Sequence, residues 1–250
     1  MLQDEMRACH RCVDAGYLER ADPVAGYRGR VTDRVMLIGQ APGHVSVERG
    51  LPFSGPGGRI LQGWLVRAGF APEDFRGRVY ISALTRCDPG RAPRGGDRKP
   101  SPPEVALCRP YLLRELALVR PRIIVLVGAM AIAAFLGPRR LEDVIGEGFE
   151  EHGAHLLPLP HPSGVSRWLN DPKHQALLTR ALDRLAAWRA EPDAAGLDAA
   201  GLDAAERTSG KLDLGRRAAT AAGEPTTIPA GRDHVVRRSI PPVRPTPSAI

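Results

Sequence analysis

Residues 35–68 read VMLIGQAPGHVSVERGLPFSGPGGRILQGWLVRA. The stretch opens on Val35–Ile38, an apolar run too short for a helix. It crosses a loop dense in glycine and proline, Gly39–Gly58, and closes on Gly57–Ala68, whose apolar residues recur at helical spacing. The same order returns along the chain. Further strands are expected at Val79–Ile81, Ile123–Val127 and Leu156–Leu159, and further helices at Pro103–Leu118, Ala129–Phe135 and Pro172–Trp188. Ser54 is expected to cap the first helix, with Pro56 near its start, and Ser101 the second, with Pro102 following. Strands alternating with helices imply an α/β fold, a three-layer α/β/α sandwich around a central, mostly parallel sheet. Ligands of such sheets collect at the carboxyl ends of the strands, where the loops converge.

A chain of 250 residues supports one substantial domain with an appendage. The domain is expected over residues 1–190. Residues 191–250 carry the repeat DAAGLDAAGLDAA at Asp193–Ala205 and continue in Pro, Thr, Gly and Arg without a period, which reads as a disordered low-complexity tail. No apolar run approaches the length of a membrane span, and Met1–Arg7 is polar and charged, so a cytoplasmic, nucleoid-associated monomer is expected. Residues 1–190 hold 27 Lys and Arg against 20 Asp and Glu, whereas residues 191–250 hold 8 of each. The positive excess therefore sits on the folded part, where it suits a polyanionic partner such as DNA.

Four cysteines are too few for a disulfide scaffold. Cys9 and Cys12 form a C-x2-C pair in CHRC, with Cys87 just after a strand and Cys108 inside a helix. Four thiolates are the full ligand set of a [4Fe–4S] cluster or of a structural zinc ion, and spacing alone leaves both open. The loop Gly39–Gly58 offers a rigid backbone cradle for a planar polar ligand, since glycines admit close approach and prolines fix the turns. Phe53 within it reads either as the face on which an extrahelical base stacks or as a core side chain.

GQAPG followed by GLPFSGPGG resembles the first motif of the iron–sulfur uracil-DNA glycosylases, a G-E-x-P-G turn with R-P-F-x-G after it. YISALTRC (Tyr80–Cys87) resembles that family's second-strand segment, SPPEVALCRPYL (Ser101–Leu112) the helix carrying its fourth cysteine, and LPLPHPSGVSRW (Leu157–Trp168) its strand-end H-P-S motif. The matches stand in family order behind CHRC and cover residues 8–188. The resemblance implies a [4Fe–4S] cluster on Cys9, Cys12, Cys87 and Cys108. It also implies a base site built from Gly39, Gln40, Ala41, Gly43, Phe53, Ala83 and His161, with His161 and Gln40 at the chemistry. His161 would hydrogen-bond the uracil carbonyl as negative charge develops there. Ser163, Arg167, Arg91 and Arg94 would meet DNA, the last two from the basic loop Asp88–Lys99, and Val165 or Trp168 would fill the vacated stack.

Departures from the family pattern fall at the site itself. Gln40 replaces the usual Glu and cannot act as a base, and Val45, Ser46 and Val47 replace the acidic residues beyond the turn. His44 and Glu48 are the nearest groups able to compensate. Ala83 stands where the family offers an Asn to read the uracil edge, with Ser82 and Thr85 as nearby substitutes. The expected activity is monofunctional excision of uracil or a related deaminated base from single- or double-stranded DNA. The alternatives are a DNA- or damaged-base-binding relative with weak or no excision, and an unrelated zinc-stapled α/β protein.

Overall fold

A computed structural model describes residues 1–23, 30, 34–93, 95–151, 153–163 and 167–191. Arg94, residues 164–166 with Val165, and the expected tail from residue 192 onward lie outside the described residues. Strands β1 (Val35–Gly39), β2 (Val79–Ala83) and β3 (Ile123–Val127) are buried at every position. Continuous apolar runs of this kind belong to parallel strands covered on both faces. A short strand β4 (Phe149–Glu151) and the longer β5 (Ala154–Leu159) complete a five-stranded sheet in the order β2-β1-β3-β5-β4. Registers such as Leu37↔Ile81, Leu37↔Val125 and Val125↔Leu157 are parallel, and only the β4–β5 pair is antiparallel. The sequence reading did not include β4, whose three mostly exposed residues carry no alternating pattern.

The helices are α1 (Leu2–Arg7), α2 (Arg11–Asp14), α3 (His44–Glu48), α4 (Pro56–Arg67), α5 (Asp74–Gly77), α6 (Pro102–Val119), α7 (Ala129–Leu136), α8 (Leu141–Val144) and α9 (Pro172–Ala190). The four long ones match the expected segments to within two residues at each end. Helix α9 buries Leu178, Ala181, Leu182 and Leu185, an i, i+3, i+4, i+7 stripe facing the core, and touches α4 and β5. Helix α6 packs on β2, and α7 on β3 and β1. Helices thus cover both faces of the sheet, as the alternation requires.

Ser101 caps α6 as expected, in a full capping box: its hydroxyl accepts from the Glu104 amide and its own amide donates to the Glu104 carboxylate. Ser54 does not cap α4. Gly55 holds that position, while the Ser54 hydroxyl donates to the Leu51 carbonyl at 2.8 Å and so fastens the preceding turn. Among the described residues no helix is long and apolar enough to cross a membrane.

The chain runs from β1 out to β2 and then returns to β3 on the other side of β1. Successive crossovers on opposite sides of one strand leave a crevice at its carboxyl end.

Candidate active site

That crevice holds a cavity of about 480 Å³. Gly39, Gln40, Ala41, Gly43, Phe53, Ala83, Arg91, His161 and Ser163, all singled out in the sequence, line it together. The backbone amides of Gln40, Ala41 and Gly43 make no hydrogen bond to the backbone of another described residue. They are donors available to a ligand, as a backbone cradle needs.

Phe53 enters through an uncommon backbone conformation, with φ at 51° in the left-handed region. Gly58 permits it: a Cβ there would stand 1.6 Å from the Phe53 carbonyl oxygen. The Phe53 ring reaches over the end of β1, where its Cζ would lie 3.2 Å from a Cβ on Gly39, and tilts against Phe75 at 6.2 Å. The side chain is half-buried. One part of the ring joins the core and another walls the cavity.

His161 follows β5 and lies against Gly128, the residue after β3, where a Cβ would meet its Cδ2 at 3.2 Å. Gly128 is at φ 87°, so both its backbone and its close neighbour call for glycine. The imidazole is exposed at the cavity mouth. The protein that packs against the rest of it lowers its pKa, nearby Lys99 lowers it further, and the Asp97 carboxylate opposes both. The ring is thus held neutral at pH 7, a donor or acceptor rather than a cation.

The loop 88–99 folds back on itself. It closes into a small hairpin through Ala92 N–H to Gly96 O at 3.0 Å, Arg98 N–H to Gly90 O at 2.8 Å, and a bridge between Arg91 and Asp97. Arg98 forks onto the buried Glu104 carboxylate with two 2.8 Å bonds, which holds that carboxyl down at about 2. Arg98 therefore anchors the loop, whereas Arg91, at the rim, and Lys99 are exposed.

The same hairpin delivers Asp97, which the sequence reading passed over. A Cβ on Gly43 would stand 2.4 Å from its Oδ2. The available signal was a single acid in a basic loop that follows a strand bordering the site.

Ala83 is buried and contributes only backbone and methyl. Ser82 cannot replace an amide there, because its hydroxyl donates at 2.7 Å to Glu115 on the side of the sheet away from Ala83. Thr85 is buried and does not line the cavity. His44 lines it, held between Glu48 at 3.2 Å and Asp88 at 3.6 Å, whereas Glu48 stays outside. Trp168 stacks on His174 with ring centres 4.1 Å apart and packs against the core, the structural one of its two roles. Arg167 beside it is exposed.

Cys9 follows α1, Cys12 lies in α2, Cys87 follows β2 and Cys108 sits in α6, with α1 and α2 both packed on α6. All four are free thiols, and all but Cys9 are buried. Burial pushes Cys12 up to about 11 and Cys87 to about 12, and Cys108 upward as well; the other cysteines in the group add to each. Among the described residues, no three Cys, His, Asp or Glu side chains close around one point as ligands of a single ion do. Four thiols on elements that pack together are a donor set that either a zinc ion or an iron–sulfur cluster could take.

The profile of the uracil DNA glycosylase superfamily matches residues 27–186. The chain is 31% identical over 175 residues to a type-4 uracil-DNA glycosylase of Pyrobaculum aerophilum, covering 66% of this chain and 83% of that protein. It is 29% identical over 170 residues to a type-4 uracil-DNA glycosylase of Thermotoga maritima, covering 67% and 82%. Among solved structures, Pedobacter heparinus SMUG2 aligns over 64% of this chain and 76% of its own at 14% identity, with a TM-score of 0.33.

Proposed function

This chain belongs to the uracil DNA glycosylase superfamily, and we propose that it is a monofunctional DNA glycosylase of base-excision repair. It hydrolyses the N-glycosidic bond of uracil or a related deaminated base, acting as a monomer on nucleoid DNA. The observation that carries this reading is the meeting of Phe53 and His161, far apart in sequence, across one cavity at the carboxyl ends of the strands.

An extrahelical base slides between the Phe53 face and the amides of Gln40, Ala41 and Gly43, which fix its orientation. As the bond from C1′ to the base stretches, electrons move onto the base. A neutral His161 N–H aimed at its carbonyl stabilises that charge without reorganising. The Gln40 amide orients water but takes no proton. Arg91, Ser163 and Arg167 meet phosphates around the cavity mouth, giving affinity that falls with salt. Cys9, Cys12, Cys87 and Cys108 would hold a [4Fe–4S] cluster, which would tie the amino terminus to the β2–α6 junction and contribute stability there. None of these cysteines is among the described residues lining the cavity.

A second reading, a base-binding relative with weak excision, rests on Ala83, whose methyl offers no hydrogen bond to the base edge. One panel separates the two. Uracil-, hypoxanthine- and xanthine-containing oligonucleotides, single- and double-stranded, are incubated and then treated with alkali. Breakage at the lesion supports excision, and binding without breakage supports the second reading. Without alkali the strands should stay whole, since no lysine is among the described residues lining the cavity. For the cluster, purified protein should be brown and contain iron, and Cys108→Ser should lose both.

A further inference from the structure

The turn after β1 lacks a carboxylate able to activate water, yet the cavity does not. We propose that Asp97, delivered by the hairpin after β2, is the general base, its Oδ2 taking the proton of the water that attacks C1′. The inference rests on the glycosylase reading and assigns the one role which that reading leaves without a residue.

Asp97 is the only carboxylate among the described residues lining the cavity. Its Oδ1 lies 3.4 Å from the Arg91 guanidinium, and its Oδ2 turns to Gly43, in the cradle that receives the base. Gly43 has φ −87° and ψ 166°, a conformation open to any residue. The backbone there does not call for glycine, and the space a Cβ would fill is taken by this carboxylate. The backbone on either side of Asp97 is pinned by the Ala92–Gly96 and Arg98–Gly90 bonds and by the Arg98 fork on Glu104. Asp97 and His161, the leaving-group donor, line the same cavity. His44, the other candidate at the wall, is already engaged by Glu48 and Asp88.

The step balances simply. The water oxygen bonds to C1′ while its proton passes to Oδ2. The C1′–N1 electron pair leaves with the base, whose carbonyl His161 holds. The proton on Asp97 then returns to solvent or to the departing base. Before attack, the same negative charge stabilises the developing oxocarbenium sugar.

The test is single-turnover excision by wild type, Asp97→Asn and Asp97→Ala on the base identified by the panel. Binding to an oligonucleotide carrying uncleavable 2′-fluoro-deoxyuridine is measured alongside. Asp97→Asn should lose about 10²-fold or more in rate with affinity unchanged or tightened, because a negative charge near DNA is removed. Formate should restore part of the Asp97→Ala rate in a saturable way. A near-wild-type rate for Asp97→Asn, a matching fall in affinity, or no response to formate overturns the assignment. A wild type that excises none of the bases instead overturns the glycosylase reading, and this one with it.

Discussion

Replacing His161 by alanine removes one preorganised donor from the wall of the cavity. Because enclosure and Lys99 keep the imidazole neutral at pH 7, the lost interaction is a neutral N–H on a developing anion. A hydrogen bond to a charged partner contributes about 1.5–3 kcal/mol, and an oxyanion-type donor in an enclosed site about 2.7–4 kcal/mol. With about 3 kcal/mol, and about 1.4 kcal/mol per decade of rate, excision should slow by about 10²-fold. Gly128 and the strand ends around the ring are fixed by backbone hydrogen bonds, including Gly128 N–H to Leu159 O at 2.9 Å. The substitution should therefore leave the fold and DNA affinity in place. The assay is single-turnover release of the base, scored by alkali cleavage, with affinity for 2′-fluoro-deoxyuridine DNA measured in parallel. An unchanged rate would remove His161 from the chemistry. A fall in affinity as large as the fall in rate would make it a binding residue.

Phe53→Ala should weaken binding of a uracil-containing oligonucleotide by about 1–3 kcal/mol, the range for base–aromatic stacking, and leave undamaged duplex affinity unchanged; equal losses on both would refute the stacking role. Glu115→Gln removes the charge that pairs with the buried Arg86 guanidinium and one of the two acceptor oxygens shared by Tyr80 and Ser82, so unfolding stability should drop by about 3–5 kcal/mol. Urea titration reads this, and an unmoved midpoint would refute it. The Glu104 carboxyl, lowered to about 2 by Arg98 and Ser101, lies below its unfolded value of about 4.3. Its contribution is present above that unfolded value and is lost as pH falls toward about 2. Stability of wild type should therefore fall more steeply with acid across that window than stability of Glu104→Gln, and parallel curves would refute the clamp.

Much of this protein is written in short-range sequence. Val35–Ile38 and Ile123–Val127 declare buried parallel strands because an apolar run with no polar face needs cover on both sides. Ser101–Glu104 declares a helix start because a cap and its partner lie within one turn. The motifs around Gly39, Phe53 and His161 stand out by their resemblance to a known family, and these residues line one cavity. The sequence was silent where the deciding partner is distant. The Ser54 hydroxyl had two acceptable uses, and the turn at Leu51 took it. Arg98 and Arg91 look alike in a basic loop until the buried Glu104 claims one of them. Asp97 carries no local mark beyond being the acid of a basic loop, since its place depends on strand order bringing the β2 loop against the β1 turn. Periodicity and caps are settled by neighbours in the chain, but the convergence of side chains on one cavity is settled by topology, which only the folded chain supplies.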